Sequence, residues 1–364
     1  MQAKLWVLLG RKAGDNAQVL ALAETTGLPF EEKQISARSW EIVPHLLLGP
    51  TLAGIDRSAS SPLAPPWPDL VISAGRRNEP VARWIRAQAR GAVRLVHIGR
   101  PWARPATWDL IVTTPQYFLP EADNVLQIPL PLRRITRDGV DVAARQIAPR
   151  LAHLPRPLTA VLIGGDSGPF VFTPDKGRRL AEGVNRLVAQ SGGTALVTDS
   201  PRTPKAATEA FRKTINVPAE SYWWHDPHTT GDNPYQGFLG LADRFVVTGE
   251  SMSMMAEAAS LGRPLYLFDP GDPPGTWWRH PHNFRHKPLS HALAMRLAPR
   301  RMRRDVSRLQ DALMREGRAS WLDDAPRLIA EGENWATEAR SDPTEDVQRA
   351  AARVLALLKG DTRR

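Results

Sequence analysis

Phe245-Val246-Val247-Thr248-Gly249-Glu250-Ser251-Met252-Ser253-Met254-Met255-Ala256-Glu257-Ala258-Ala259-Ser260-Leu261-Gly262-Arg263-Pro264 reads as an apolar strand, a turn of small hydroxylated residues, a helix, and a Gly-Arg-Pro break into a further strand. In an open α/β sheet such a turn lies at the carboxyl edge of the strands, where ligands bind. Free backbone N–H groups and the helix dipole favour a diphosphate there, and Thr248, Ser251 and Ser253 add hydroxyl donors beside Gly249 and Glu250. Glu257 follows Ser253 by four residues, one turn into the helix, where a carboxylate can hydrogen-bond ribose hydroxyls. The plain alternative makes Ser253 an N-cap and Glu257 a capping-box or surface residue.

The same strand, turn and helix unit recurs on both sides of this stretch. Short Val/Ile/Leu runs predict strands over Leu5–Leu9, Leu70–Ser73, Arg94–Ile98, Leu110–Thr113 and Val125–Ile128, then over Leu158–Ile163, Thr194–Thr198, Arg244–Thr248 and Pro264–Phe268. Helical periods fall between them, which is the alternation of a parallel sheet. A chain of 364 residues exceeds one typical core, and the helix pattern stops at Ala152-His153-Leu154-Pro155-Arg156-Pro157. The expected fold class is therefore α/β with two Rossmann-like domains facing a central cleft, divided as 1–152 and 153–342. Val347, Ala350, Ala351, Val354, Leu355 and Leu358 have amphipathic helical spacing, so residues 343–364 are expected to form a helix crossing back to the first domain.

Other strand ends carry further candidates. Leu162-Ile163-Gly164-Gly165-Asp166 is a glycine turn that lets the backbone approach a ligand, or simply a tight strand exit. In Thr198-Asp199-Ser200-Pro201-Arg202-Thr203-Pro204, Ser200 and Arg202 suit a phosphate, while Thr203 and Pro204 read as N-cap and first helical residue. Asn233 reads as a cap with reach toward the ligand. In the first half, Asp15 after Leu5–Leu9 is either the base that takes a proton from an acceptor hydroxyl or an N-cap. Arg76 and Arg77 after Leu70–Ser73 suit an anionic acceptor or phosphate, or are solvated.

Composition narrows the chemistry. There is no cysteine, so thiolate nucleophiles, disulfides and cysteine-held metals are excluded. The net charge of +10 comes mostly from arginine, the better fork for phosphate, yet no nucleic-acid-binding motif organises it. His280, His282 and His286, near Trp277 and Trp278, lack the spacing of a metal site, and neither a metal nor a resident cofactor is expected. The opening Lys4-Leu5-Trp6-Val7-Leu8-Leu9-Gly10 is too short an apolar run for a signal peptide, and no run reaches membrane-span length. A cytoplasmic protein is expected. The basic segment Arg296 to Arg318, read as one helix face, suits peripheral contact with anionic lipid on the inner face of the cytoplasmic membrane.

Together, Gly14-Asp15-Asn16-Ala17-Gln18, Ser73-Ala74-Gly75-Arg76-Arg77, Leu162-Ile163-Gly164-Gly165, Arg202-Thr203-Pro204, Asn233-Pro234-Tyr235 and Val247 to Ala258 resemble the mitochondrial-fission protein family. That family is similar in turn to GT-B glycosyltransferases, in which an acid on the matching late helix binds the nucleotide ribose. The resemblance implies that Glu257 is the ribose ligand and Gly249 to Ser253 the diphosphate turn. The expected function is a metal-independent glycosyltransferase, using a nucleoside-diphosphate sugar as co-substrate and an envelope lipid or saccharide as acceptor. A nucleoside-diphosphate-sugar epimerase on the same fold, or a non-catalytic scaffold, are the alternatives.

Overall fold

The computed structural model describes residues 3–40, 45, 47–227, 231–272, 287–300, 303–332 and 345–359. The histidines His280, His282 and His286 lie outside the described residues, as do Trp277 and Trp278. The chain forms two compact units, one of Met1–Arg134, Pro299–Asp305 and Thr344–Arg364, the other of Ile135–Ala298 and Val306–Pro343.

The first unit is built on six parallel strands: β1 (Leu5–Leu9), β2 (Phe30–Gln34), β3 (Leu70–Ala74), β4 (Arg94–Ile98), β5 (Leu110–Thr113) and β6 (Val125–Gln127), in the order β2-β1-β3-β4-β5-β6. All five residues of β1 are buried, because both faces of the sheet are covered. Leu5, Val7 and Leu9 point into one core with Val19 and Leu22 of the Ala13–Thr25 helix; Trp6 and Leu8 point into the other with Val81 and Ile85 of the Gly75–Gln88 helix. The Glu345–Lys359 helix also belongs to this unit. It buries Val347, Ala350, Ala351 and Val354 in the core shared with the Ala13–Thr25 helix.

The second unit has strands β7 (Leu158–Leu162), β8 (Thr194–Thr198), β9 (Ala219–Tyr222), β10 (Arg244–Thr248), β11 (Leu265–Phe268) and β12 (Ser320–Trp321), all parallel and ordered β12-β11-β10-β7-β8-β9. The Pro174–Ser191 helix starts as its sequence demands, with Pro174 in the first turn and the Thr173 hydroxyl accepting from Lys176 N. It lays Leu180, Val184 and Leu187 against Val161 and Val197.

Two sequence expectations are corrected. The Arg137–Leu151 helix, assigned by sequence to a first domain ending at residue 152, packs in the second unit. The reason is close approach: a Cβ on Gly237 would stand 2.4 Å from Ile147 Cδ1, and one on Gly240 would stand 2.6 Å from Ala144 Cβ. These glycines let the Tyr235–Leu241 helix accept the Arg137–Leu151 helix. The basic stretch Arg296 to Arg318 is likewise not one helix face. The Lys287–Leu297 and Ser307–Arg315 helices stand on either side of residues 299–305, and those residues join the first unit. Arg304 Nε donates to Gln116 Oε1 at 2.7 Å, and Asp305 N to Gln116 O at 2.9 Å. No helix among the described residues is long and apolar enough to cross a membrane.

Val354 is fully buried between strands and helix. Val354→Ala is expected to cost about 2 kcal/mol through lost burial and a residual cavity. Urea unfolding at an unchanged midpoint would show that the Glu345–Lys359 helix contributes nothing to this core.

Candidate functional site

In the second sheet, β7 and β10 are hydrogen-bonded neighbours, and the strand order runs away from them in opposite directions through β8 and through β11. This is the switch point of a doubly wound sheet, where the flanking connections part and leave a crevice at the carboxyl ends. β7 delivers Gly164-Gly165 to it, and β10 delivers Gly249 to Ser253.

The two turns are tied together by buried groups. Thr248 Oγ1 accepts from Gly164 N at 2.8 Å and donates to Glu250 Oε1 at 2.8 Å, and the same carboxylate oxygen accepts from Gly165 N at 2.8 Å. The Ser200 and Thr203 hydroxyls donate to Gly164 O. Gln310 Nε2 donates to Gly249 O at 2.8 Å. Glycine is required at both positions of the first turn. A Cβ on Gly164 would stand 2.2 Å from Glu250 Oε1, while Gly165 has φ +111° and its Cβ would stand 2.4 Å from Arg202 O. Burial pushes the Glu250 carboxyl above its usual range; hydrogen bonds from Thr248 and Gly165 and the Arg202 charge offset this only in part.

Thr248, Glu250 and Ser200, read from sequence as ligand contacts, are thus buried and engaged in holding the turns. The groups left at the surface of the crevice are different ones. Arg202 is exposed, with Nη1 3.3 Å from Asp166 O and Nη2 3.4 Å from Ser251 Oγ, so its guanidinium spans both turns. Ser253 and Glu257 are half-buried on the Met252–Ala259 helix, whose N-cap position is Ser251, two residues earlier than the alternative cap reading of Ser253. Tyr235 donates its phenol to Glu257 Oε2. Burial, together with the Glu257 charge, holds that phenol well above its ordinary value, so it stays a donor that fixes the carboxylate. Asn233 is exposed and its Oδ1 accepts from Tyr235 N at 3.0 Å, an Asx turn ahead of the helix; the N-cap position expected for Asn233 belongs to Pro234. A helix N-terminus with a guanidinium beside it, and an oriented carboxylate one turn on, can hold an anion and a vicinal diol.

The first unit has its own switch point, between β1 and β3. Asp15, in the first turn of the Ala13–Thr25 helix, is not the N-cap; Lys12 occupies that position. The Asp15 carboxylate rests on the start of the Gly75–Gln88 helix, where Gly75 has φ +72° and a Cβ would stand 2.6 Å from Asp15 Oδ2. Lys12 Nζ is 4.0 Å from Asp15. Asp15 draws the Lys12 ammonium up, but desolvation and the charges of Arg304, Arg77 and Arg76 outweigh it and leave it below its usual value. Asp15 and three guanidinium groups thus all act on Lys12, and Arg76 also lies over the Trp102 ring at 5.3 Å.

Beneath this surface runs a buried polar chain. Ser73 Oγ is 3.0 Å from His97 Nδ1, and Glu79 accepts from Trp102 N at 2.6 Å and Ala103 N at 2.7 Å and pairs with His45 at 3.4 Å. Burial pushes the His97 imidazole down to about 4, despite the nearby Glu79 charge.

Several contributors were not singled out by sequence. Tyr235 carried a motif but no role, Gln310 reaches Gly249 from 61 residues away, and Arg304, read only as part of the basic segment Arg296 to Arg318, acts electrostatically on Lys12. Tyr235 had a local signal in Asn233-Pro234-Tyr235 and Arg304 in its basic segment, whereas Gln310 had none. Among the described residues, no three His, Asp or Glu side chains come together as a metal site.

Two all-parallel Rossmann-like sheets, each with its candidate residues at a switch point, define an α/β protein of the GT-B-like class. The chain belongs to the mitochondrial fission ELM1 family, whose model matches residues 13–358. It is 27% identical over 222 residues to the Arabidopsis thaliana protein named mitochondrial fission protein ELM1, a match covering 55% of this chain and 51% of that one, so the similarity spans about half of the plant protein. It is 24% identical over 300 residues to the protein named Uncharacterized protein RP120 of Rickettsia prowazekii (strain Madrid E), covering 73% of this chain and 83% of the relative. Among solved structures it is similar to a UDP-GlcNAc 2-epimerase from Neisseria meningitidis bound to UDP-GlcNAc. The TM-score is 0.51 at 13% identity, over 98% of this chain and 100% of that one, a likeness of fold.

Two outcomes follow from the buried networks. Gly165→Ala places a Cβ against the Arg202 backbone at a positive φ, and a loss of several kcal/mol is expected by thermal or urea unfolding, against a much smaller loss for Glu250→Gln, which keeps the acceptor oxygen. His97 titrates at about 4 folded and about 6.5 unfolded, so its contribution is complete above pH 6.5 and is lost as pH falls toward 4, about 3 kcal/mol in all. Unfolding curves of the parent and His97→Gln across this range should differ in slope; parallel curves would contradict the assignment.

Proposed function

We propose that the second unit binds a nucleoside-diphosphate sugar and that the protein is a metal-independent glycosyltransferase, passing the sugar to an envelope lipid or saccharide recognised by the first unit. The observation that carries this reading is the pairing of the Gly164–Gly165 turn with the helix that begins after Ser251 and bears a half-buried Glu257 held by Tyr235. The N–H groups at that helix start and the Arg202 guanidinium stabilise the diphosphate as it leaves, and Glu257 accepts from the ribose hydroxyls. In the transfer, the bond from the anomeric carbon to the diphosphate oxygen breaks as the acceptor oxygen bonds to that carbon, and the acceptor proton passes to Asp15. Lys12, Arg76, Arg77 and Arg304 give the acceptor side a preference for an anionic group, such as the phosphate of a lipid carrier.

Calorimetry with uridine diphosphate in EDTA tests the reading. Binding is expected to survive chelation and to weaken by about 1 to 3 kcal/mol in Glu257→Ala through lost ribose hydrogen bonds. Unchanged affinity in the variant would remove Glu257 from the site, and no binding of any nucleoside diphosphate would favour a scaffold. Conversion of the sugar nucleotide into its stereoisomer without an acceptor would mark an epimerase instead.

A further inference from the structure

The excursion between β2 and β3 carries a surface that the nucleotide reading does not use. Residues 45 and 47–50 of it are fastened at one end and open at the other. His45 is buried, stacks on Trp102 with ring centroids 5.3 Å apart, and pairs with Glu79; Gly49 N donates to His45 O at 3.3 Å. From this anchored turn Leu47 and Leu48 stand out into solvent, 77% and 61% exposed. An isolated exposed leucine needs no explanation, but two adjacent ones displayed by a fastened turn are a costly arrangement in water.

Directly beside them lies a cavity of about 340 Å³ lined by Pro50 and by Arg83, Arg86 and Arg90 of one flank of the Gly75–Gln88 helix and its end. The three arginines differ. Arg86 is spent on structure, bonded to Asp109, Val93 O and Thr107 O. Arg83 is near Gly49, has only a long 3.6 Å pairing to Glu79, and its buried Nε has no hydrogen-bond partner among the described residues. Arg90 is exposed. No carboxylate lines the cavity.

We propose that this surface docks the protein on an anionic phospholipid bilayer, with Leu47 and Leu48 entering the acyl boundary and Arg83 and Arg90 receiving headgroup phosphates. The observations favour lipid over a protein partner because an aliphatic pair projecting beyond a carboxylate-free arginine cavity matches an interface that is apolar below and anionic above. The reading is independent of what the second unit binds.

Co-sedimentation of the full chain with vesicles tests it. Binding is expected to phosphatidylcholine mixed with phosphatidylglycerol, to be weaker on phosphatidylcholine alone, and to fall with added salt. Leu47→Ser with Leu48→Ser should lower the partition about tenfold or more. Arg83→Gln and Arg90→Gln should lower it about fivefold each on the mixed vesicles alone. Leu47, Leu48 and Arg90 are exposed and Arg83 is partly buried, so unchanged thermal unfolding of each variant is required alongside. The proposal is overturned if the parent chain ignores mixed vesicles, if the leucine and arginine variants bind them as the parent does, or if the leucines instead mediate self-association.

Discussion

The second unit depends on a carboxylate that is kept from water. Glu250 accepts the Gly165 N–H and the Thr248 hydroxyl with one oxygen, so a single buried group joins the end of β7 to the end of β10. Burying a carboxyl is costly, and the cost is offset in part because Oε1 satisfies the Gly165 N–H that the strand exit would otherwise leave bare, while Oε2 has no hydrogen-bond partner among the described residues. Everything that faces the crevice inherits its position from that tie. Arg202 is carried by the loop whose backbone lies against Gly165, and Ser253 and Glu257 ride on the helix that Glu250 and the buried Ser251 precede.

The two switch points use one topological rule for different chemistry. In the second unit, donor and acceptor groups alternate: helix N–H groups, the Arg202 guanidinium, then a carboxylate positioned by a phenol. In the first, cations dominate around Lys12, and an aromatic ring supports one of them. A site of the first kind discriminates by shape and hydrogen bonding, one of the second mainly by charge, which suits a partner whose apolar remainder lies elsewhere.

The central strands were legible because each has a short apolar centre buried on both faces; β1, β4, β5, β8 and β10 have the bounds their residues predict. β2, β9 and β12 were not. Phe30-Glu31-Glu32-Lys33-Gln34 lies at a sheet edge with a single residue fully buried, and β12 is two residues long, so neither shows a hydrophobic period. The unit boundary was misplaced because Pro155 and Pro157 mark a chain break, whereas membership of the Arg137–Leu151 helix is decided by Gly237 and Gly240, about 90 residues on. At the site, sequence located the turns but not which hydroxyls face inward. Thr248 and Ser253 are alike as residues, and only the strand register separates the one that ties the turns from the one on the helix surface.

The first unit is completed by its last helix. Its sheet is finished by residue 127, yet the apolar face formed by Val19, Leu22 and Ala23 is closed by residues of the Glu345–Lys359 helix. During synthesis at about 5 to 20 residues per second, the intervening chain takes roughly 10 to 45 s to emerge. For that interval an otherwise assembled sheet keeps an uncovered hydrophobic groove, while the later unit forms in the meantime. The order of chain emergence thus runs against the order of core closure.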